Sequence, residues 1–337
     1  MEFTVSGRLE VRITPADVGK RVSVRRVTDA PEAGAKFADT VGVLTSWDEG
    51  VVSITRKDGE SVHIPESTLV AGKVVPPAPA RRRGPAATFD ELAAVTARAW
   101  QPVESEPLGD WRLRAAGGFT RRANSALPLG EPGMPLDEAL RRVRRWYGVR
   151  GLPAYVQTAT GGEGTQERLC ADLEERGWRR EVSAAVRIAA LAPLGDRDVD
   201  VSAVRTARTA DGAWLARYQR FDTPGQAPGA HVLKVLGAGP SVWFATVPGD
   251  GPGEVPAAIG RCVVDGRWAG FMAVEVGPGH RRRGLATAVM TVLARQALQE
   301  GASAAWLQVE EDNEGARALY DGMGFATHHR YHHFRDA

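Results

Sequence analysis

The sequence predicts a mixed α/β (α+β) chain in which two similar mixed-sheet halves follow a small β-barrel. Three observations carry that expectation. Short alternating strands with tight turns fill the first 75 residues. A proline- and arginine-rich stretch then breaks the pattern at 76–87. Beyond it, helices and strands alternate twice in the same order, and Leu173-Glu-Glu-Arg-Gly-Trp178 aligns with Tyr320-Asp-Gly-Met-Gly-Phe325 as an internal repeat.

Size and composition agree with several domains of a globular protein: 337 residues, 43% hydrophobic and 25% charged. A net charge of +2 gives no polyanion-binding footprint, so nucleic acid is not an expected partner. No apolar run approaches the roughly 20 residues that span a bilayer. Met1-Glu-Phe-Thr-Val5 lacks a basic region followed by an apolar one, so the expected location is the cytoplasm, without a membrane partner. The two cysteines, Cys170 and Cys262, have no metal-ligand spacing and read as buried apolar positions.

In the first segment, Arg21–Val27, Thr40–Trp47, Val51–Arg56 and Ser61–Ile64 alternate apolar and polar residues, with Asp48-Glu-Gly50 and Asp58-Gly59 as hairpin turns. This pattern predicts an SH3-like barrel over 1–75. No aromatic cluster or basic stripe selects a ligand for it, and a docking role is preferred. The linker holds Arg81–Arg83, a basic run read as solvated.

The first half, 88–190, opens with a helix over Phe89–Trp100. Strands are expected at Trp111–Arg114 and Phe119–Ala126, then a helix over Pro135–Tyr147 whose Arg141–Arg145 run is read as a solvated surface. A strand at Ala154–Thr158, a helix over Gln166–Arg176 and a strand at Val182–Ile188 complete it. The second half, 191–337, has a helix over Ala210–Arg220, a strand at Val242–Val247 and a hairpin of Ala257–Val264 with Trp268–Val276 around Asp265-Gly266.

The chemistry is concentrated after that hairpin. A basic glycine loop, Gly277-Pro-Gly-His-Arg-Arg-Arg-Gly-Leu-Ala286, leads into an amphipathic helix from about 284 to 299, capped by Gly301. Free N–H groups at that helix start would face a diphosphate. Gly284 would let the backbone approach, and Arg281, Arg282 and Arg283 would add positive charge. The loop lacks the Gly-Lys-Ser/Thr ending of a P-loop and the three-glycine dinucleotide fingerprint. A strand, Ala304–Val309, and a short helix, Glu314–Met323, follow, with Asn313, Arg317 and Tyr320 on one helix face.

Arg281-x-x-Gly284-x-Ala286 after Val274-Glu-Val276 resembles the acetyl-CoA loop of the GNAT N-acetyltransferases. The run from Asn313 to Phe325, Asn-x-x-Ala-x-x-Leu-Tyr-x-x-x-Gly-Phe, is similar to that family's second cofactor motif. These motifs cover about 270–330, and the wider pattern resembles tandem members with an N-terminal SH3-like domain and a degenerate first half. The resemblance implies acetyl-CoA as co-substrate, without a metal. It implies cofactor contacts at Val274, Val276, Arg281–Ala286 (Leu285 included), Asn313 and Arg317. Acceptor contacts are implied around Trp214–Pro228, where Tyr218, Phe221 and Asp222 name no substrate.

Tyr320 is the implied proton donor: a phenol titrating near ~10 stays protonated at neutral pH beside a thiol of ~8.5. Its alternative is a tyrosine that only packs. Glu275 faces opposite to Val274 and Val276 and is either the base or a solvated strand residue. Asn313 is either a ligand or only a helix cap. In the first half Leu173 stands for Tyr320, Gln166 for Asn313 and Gly130–Pro135 for the arginine loop, so one active site per chain is expected. The histidines of His328-His-Arg-Tyr-His-His333 read as parts of a last strand, structural or near the acceptor, in preference to metal ligands. The expected activity is acetyl transfer to a primary amine, of a small molecule or a protein lysine. The competing reading is a non-catalytic acyl-CoA-binding regulator.

Overall fold

The computed structural model of the chain describes residues 10–28, 37–76, 84–218 and 229–337. In chain order the strands are β1 Arg21–Val27, β2 Phe37–Asp48, β3 Val51–Thr55, β4 Ser61–Pro65, β5 Leu69–Val74, β6 Glu104–Leu108, β7 Trp111–Ala115, β8 Leu127–Pro128, β9 Tyr155–Thr160, β10 Arg179–Ala190, β11 Arg205–Ala207, β12 Ser241–Val247, β13 Ala258–Asp265, β14 Trp268–Val276, β15 Ala304–Glu310 and β16 Ala326–Arg335. The helices are α1 Phe89–Ala99, α2 Leu136–Gly148, α3 Glu167–Glu175, α4 Ala192–Gly195, α5 Gly212–Arg217, α6 Ala230–Gly237, α7 Leu285–Gln299 and α8 Glu314–Gly322. The described residues fall into two compact units: those up to 76 with 158–179, and 84–157 with 180–336.

In the first unit the predicted alternation buries Val22, Val24, Leu44, Val52, Ile54 and Ile64 under one sheet of order β4-β3-β2-β1-β5. Glu49 (φ 50°) and Gly50 (φ 77°) take the left-handed backbone that a tight β2–β3 turn needs. The outer side of β5 is bonded at Gly72, whose N–H donates to the Glu10 carbonyl at 3.1 Å and whose carbonyl accepts from the Arg12 N–H at 2.7 Å, and among the described residues β4 and β5 do not pair to close the sheet into the barrel that the strand pattern predicts. A three-residue turn, Glu66–Thr68, carries the chain from β4 at one edge to β5 at the other without bringing the two into register. Helix α3 packs on β2 and β3, and Thr160 Oγ1 donates to the Lys57 carbonyl at 3.0 Å.

The second unit is built on a sheet of order β11-β12-β13-β14-β15-β10-β16-β9. Strand β10 pairs antiparallel with β15 from Ala184↔Glu310 to Ala190↔Ala304, so a strand from the first repeat lies inside the sheet of the second. Local periodicity carries no information about that exchange. Cys262, Phe271, Leu307 and the α7 residues Val289, Leu293 and Ala297 pack on one face with Tyr320 of α8. Trp268, Trp306 and Phe244 pack on the other with Leu92 and Val95 of α1, Trp214 of α5 and Val235 of α6. Gly270 is required by a close approach: a Cβ there would lie 2.3 Å from the Trp306 ring.

Two sequence expectations are corrected. Phe119–Ala126 does not form a strand. Gly117 and Gly118 are left-handed (φ 57° and 82°), and Asn124 Oδ1 accepts from the N–H groups of Ala116 and Gly118 at 2.8 and 2.9 Å, so a side chain takes the bonds a ladder would need. Trp214 and Tyr218 are core rings, stacked at 5.2 Å, and not acceptor surface. Phe221 and Asp222 of that expectation, and Arg81–Arg83 of the linker, lie outside the described residues. The Arg141–Arg145 run is a helix surface whose Arg142 and Arg144 pair with Glu106 and Asp336.

The terminal histidines form β16. His328 Nε2 bonds the Ala87 carbonyl at 3.0 Å, His332 Nδ1 meets Ser183 Oγ at 2.8 Å, and His329 packs edge-on against Phe89. Burial pushes the His329 imidazolium down to about 3, helped by His328 and His332, and pushes His333 well below its ordinary range. Both rings are neutral when folded but protonate near ~6.5 when unfolded. The unfolded chain therefore binds more protons below that pH, and stability falls on acidification by about 1.4 kcal/mol per pH unit per ring. Denaturant unfolding at pH 7 and pH 5 is expected to show a loss of about 4 kcal/mol from the two rings. Equal stabilities would contradict their burial as neutral groups.

Candidate active site

Strand β14 is the hinge of the site. It runs parallel to β15 only from Trp268↔Ala304 to Phe271↔Leu307. Beyond that pair each strand bonds outward: β14 to β13 through Glu275↔Ile259 and Val276↔Ala258, and β15 to β10 through Glu310↔Ala184. Ala273 is left-handed (φ 50°), opposite a register shift between Ile259 and Arg261. A β-bulge thus bends β14 away from β15. The wedge exposes strand edges that an extended amide chain can pair with as an added strand would.

Val274 and Val276 are half-buried and pack against the α7 side of the core, which leaves Glu275 on the opposite face. At the end of β14 the Gly277 N–H donates to the Ala257 carbonyl at 2.8 Å. The loop continues through a short turn, Pro278–His280, to Arg281, Arg282 and Arg283, all exposed. Arg282 (φ 63°) and Gly284 (φ 77°) are both left-handed. For Gly284 this conformation costs nothing, whereas a side chain there would add roughly 1–2 kcal/mol. The turn delivers the chain into α7 with no side chain capping it. Its first N–H groups lack intrahelical partners, beside three cations, and Leu285 and Ala286 are half-buried at the helix start. The set fits a diphosphate-bearing, amide-bearing ligand such as coenzyme A.

Tyr320 is the member of its helix that turns inward. Its ring is 9% exposed and meets Phe325 edge-on at 5.9 Å. Burial pushes the phenol up to about 12, opposed by the nearby Arg187 guanidinium. Its hydroxyl makes no hydrogen bond among the described residues. Asn313 and Arg317, expected beside it, are exposed and have structural partners. Asn313 Oδ1 caps α8 by accepting from Ala316 N–H at 3.1 Å, and Arg317 Nη1 donates to the Glu311 carbonyl at 2.8 Å. Sequence periodicity places the three on one face, but it cannot show that the cap satisfies Asn313 locally.

Three positions escape the sequence reading. Arg187, on β10, pairs with Asp321 and donates to the Phe325 carbonyl at 2.8 Å, which ties α8 and Tyr320 to the sheet. Arg217 of α5 lies over the loop start: a Cβ on Gly277 would sit 3.0 Å from its Nη2. Arg261 is fully buried and donates to the carbonyls of Ala99, Leu236 and Ala238 at 3.0, 2.7 and 2.6 Å, where α1 and α6 end. A lone charge inside an apolar run, as in Ala184-Ala-Val-Arg-Ile-Ala-Ala190, is the available signal for Arg187 and for Arg261. Cys262 is buried with its thiol pushed up to about 12 by desolvation, which makes it inert.

This sheet, its wedge and the arginine loop define a GNAT-type acetyltransferase. The chain belongs to the family described as "Probable histone acetyltransferase Rv0428c C-terminal", which matches residues 87–334. It is 26% identical over 314 residues to the protein of Mycobacterium tuberculosis (strain ATCC 25618 / H37Rv) named probable histone acetyltransferase Rv0428c, covering 93% of each chain. It is 24% identical over 250 residues to YobR of Bacillus subtilis (strain 168), described as an uncharacterized N-acetyltransferase, covering 72% of this chain and 96% of that one. Among solved structures it resembles a GCN5-related N-acetyltransferase from Kribbella flavida, with TM-score 0.51 and 18% identity over 73% of this chain and 95% of that one. A tandem GNAT protein from the clavulanic acid biosynthesis pathway shares the fold at TM-score 0.50 and 14% identity, over 76% of this chain and 90% of that one.

Proposed function

We propose that the chain transfers acetyl from acetyl-CoA directly to a primary amine in a ternary complex. The observation that carries this reading is the wedge between β14 and β15 opening beside the left-handed Arg282–Gly284 turn at the start of α7. Acetyl-CoA would supply a thioester acetyl group. Val274 and Val276 would hold the amide arm by their backbone, and the N–H groups around Gly284–Ala286 with Arg281–Arg283 would hold the diphosphate. Asn313 and Arg317 stand at the rim of α8 as further contacts.

Transfer forms an N–C bond and breaks the C–S bond. The amine arrives as ammonium, and Glu275, on the acceptor face, is the candidate to take its proton. Tyr320 is the candidate to donate to the departing sulfur. The acceptor class includes small amines and protein lysines. The relative named a probable histone acetyltransferase matches nearly the whole chain, which makes lysine-rich proteins acceptors to assay. In this reading 1–75 is an SH3-like docking module, 76–87 a linker, 88–190 a degenerate half and 191–337 the catalytic half.

Joint replacement of Arg281, Arg282 and Arg283 by glutamine tests the loop. Each exposed cation paired with a bound diphosphate is worth roughly 0.5–1 kcal/mol, so calorimetry is expected to show acetyl-CoA binding weakened about 10- to 100-fold. The wild-type affinity should also fall with added salt more steeply than that of the variant. Unchanged affinity would place the diphosphate elsewhere.

A further inference from the structure

On the Glu275 face of the sheet, next to the wedge, the second unit contains a polar cavity that the acetyl-transfer reading leaves unexplained. It has a volume of about 10 Å³, room for roughly one water, and is lined by Thr96, Trp100, Arg114, Arg122, Gln157 and Gln308. Gln308 fixes its position. Leu307 and Val309 pack on the α7 side and Trp306 on the other, so alternation puts Gln308 on the Trp306 face. It is also the first residue of β15 after the last pair with β14, Phe271↔Leu307. The cavity therefore begins where the two strands part.

Its lining is unbalanced in charge and in hydrogen bonding. Arg114 is 2% exposed, and its partners are all neutral: the Ser125 carbonyl at 3.0 Å, Ser125 Oγ at 2.7 Å and Gln157 Oε1 at 3.0 Å. Burial pulls this guanidinium down to about 10, which still leaves it cationic at neutral pH. Arg122 has no hydrogen bond or ion pair among the described residues. Its guanidinium lies over the rings of Trp100 and Tyr331 at 5.7 and 5.6 Å, and its Nε is buried and unpartnered. Trp100, 5% exposed, has an unpartnered Nε1–H, and Gln308 Oε1 and both ring nitrogens of the nearby His333 are unpartnered too. Two guanidinium groups and an indole donor thus converge on one small space with no carboxylate among the described residues paired to them. A buried cation without a counter-ion is costly, and planar guanidinium matches a planar carboxylate.

We infer that this cavity binds the carboxylate of the acceptor, so that the preferred acceptor is a small amino acid-type molecule carrying its amine and a carboxylate on one short chain. The inference rests on the proposed acetyl transfer and gives the degenerate half a part in it, since Arg114 and Arg122 come from the first repeat and Gln308 from the second. The space as it stands is smaller than a carboxylate, so the head group enters only if one wall moves. Arg122, half-buried and without a hydrogen bond among the described residues, is the wall that yields.

The test compares a graded series of amino acids with the matching amines that lack the carboxylate, by thiol release from acetyl-CoA. Acetyl-CoA binding is measured by calorimetry on the same proteins. Wild type is expected to favour the acid of at least one pair by at least about tenfold in kcat/KM, through KM. Arg122→Gln, which cannot pair with a carboxylate, should bring that ratio toward one. Trp100→Phe, which keeps the ring and loses the N–H, should lower the ratio in the same direction. Acetyl-CoA binding with equal use of acids and amines, or preference for a lysine-rich peptide over every amino acid, would overturn the pocket while leaving the acetyltransferase reading intact. Failure to bind acetyl-CoA would instead remove the reading on which the pocket depends.

Discussion

Replacing Tyr320 with phenylalanine is expected to lower kcat by about 10²–10³-fold, the range found when one donor to a developing negative charge is removed. The variant keeps the ring, its edge contact with Phe325 and its burial, so folding stability should change by less than about 1 kcal/mol. The size of the effect follows from acidity. With the phenol pushed up to about 12, it stays protonated over the working range. Full transfer to a thiolate of ~8.5 would be uphill by about 5 kcal/mol, so the role proposed for Tyr320 is chiefly that of a hydrogen-bond donor to the departing sulfur, with water completing the protonation. The pH–rate profile of the wild type should accordingly lack a falling limb from tyrosine ionisation below about pH 10. Unchanged kcat in Tyr320→Phe would reduce this residue to core packing.

The second large effect concerns folding. Arg261→Met is expected to cost about 3–5 kcal/mol in denaturant unfolding, although methionine keeps the apolar stem of the side chain. Arg261 is completely buried and answers the carbonyls of Ala99, Leu236 and Ala238, at the C-terminal ends of α1 and α6. These carbonyls carry the negative ends of two helix dipoles, and removing the guanidinium leaves them without that partner. Arg261→Lys should recover part of the loss, since one ammonium cannot reach three carbonyls. A variant with methionine as stable as wild type would mean that water replaces the guanidinium without cost.

What local sequence could reveal was set by how local each feature is. The span of α7 and its left-handed closure at Gly301 follow from spacing and single-residue chemistry, and they match the structure within a residue or two. Tyr320 is legible through its place in the second motif, but its burial is not, because the helix period groups it with the exposed Asn313 and Arg317. The bulge at Ala273 is not, because nothing about alanine asks for a left-handed backbone; the bend is imposed by the pairing of β14 with β13. The insertion of β10 between β15 and β16 is equally hidden, since strand exchange is a long-range choice among similar edges. Arg114 and Arg122 look like ordinary surface arginines in sequence. Only the packing of both repeats around them shows that they share a cavity with Trp100 and Gln308.

The most direct test of acetyl transfer is thiol release from acetyl-CoA by the full-length protein, with and without a panel of amines, amino acids, polyamines and lysine-rich proteins, and with product mass measured. The account predicts release that depends on the amine and a product heavier by one acetyl group, formed about 10²–10³-fold more slowly by Tyr320→Phe. Tight acetyl-CoA binding without amine-dependent release on any acceptor would contradict it and favour a cofactor-sensing protein instead.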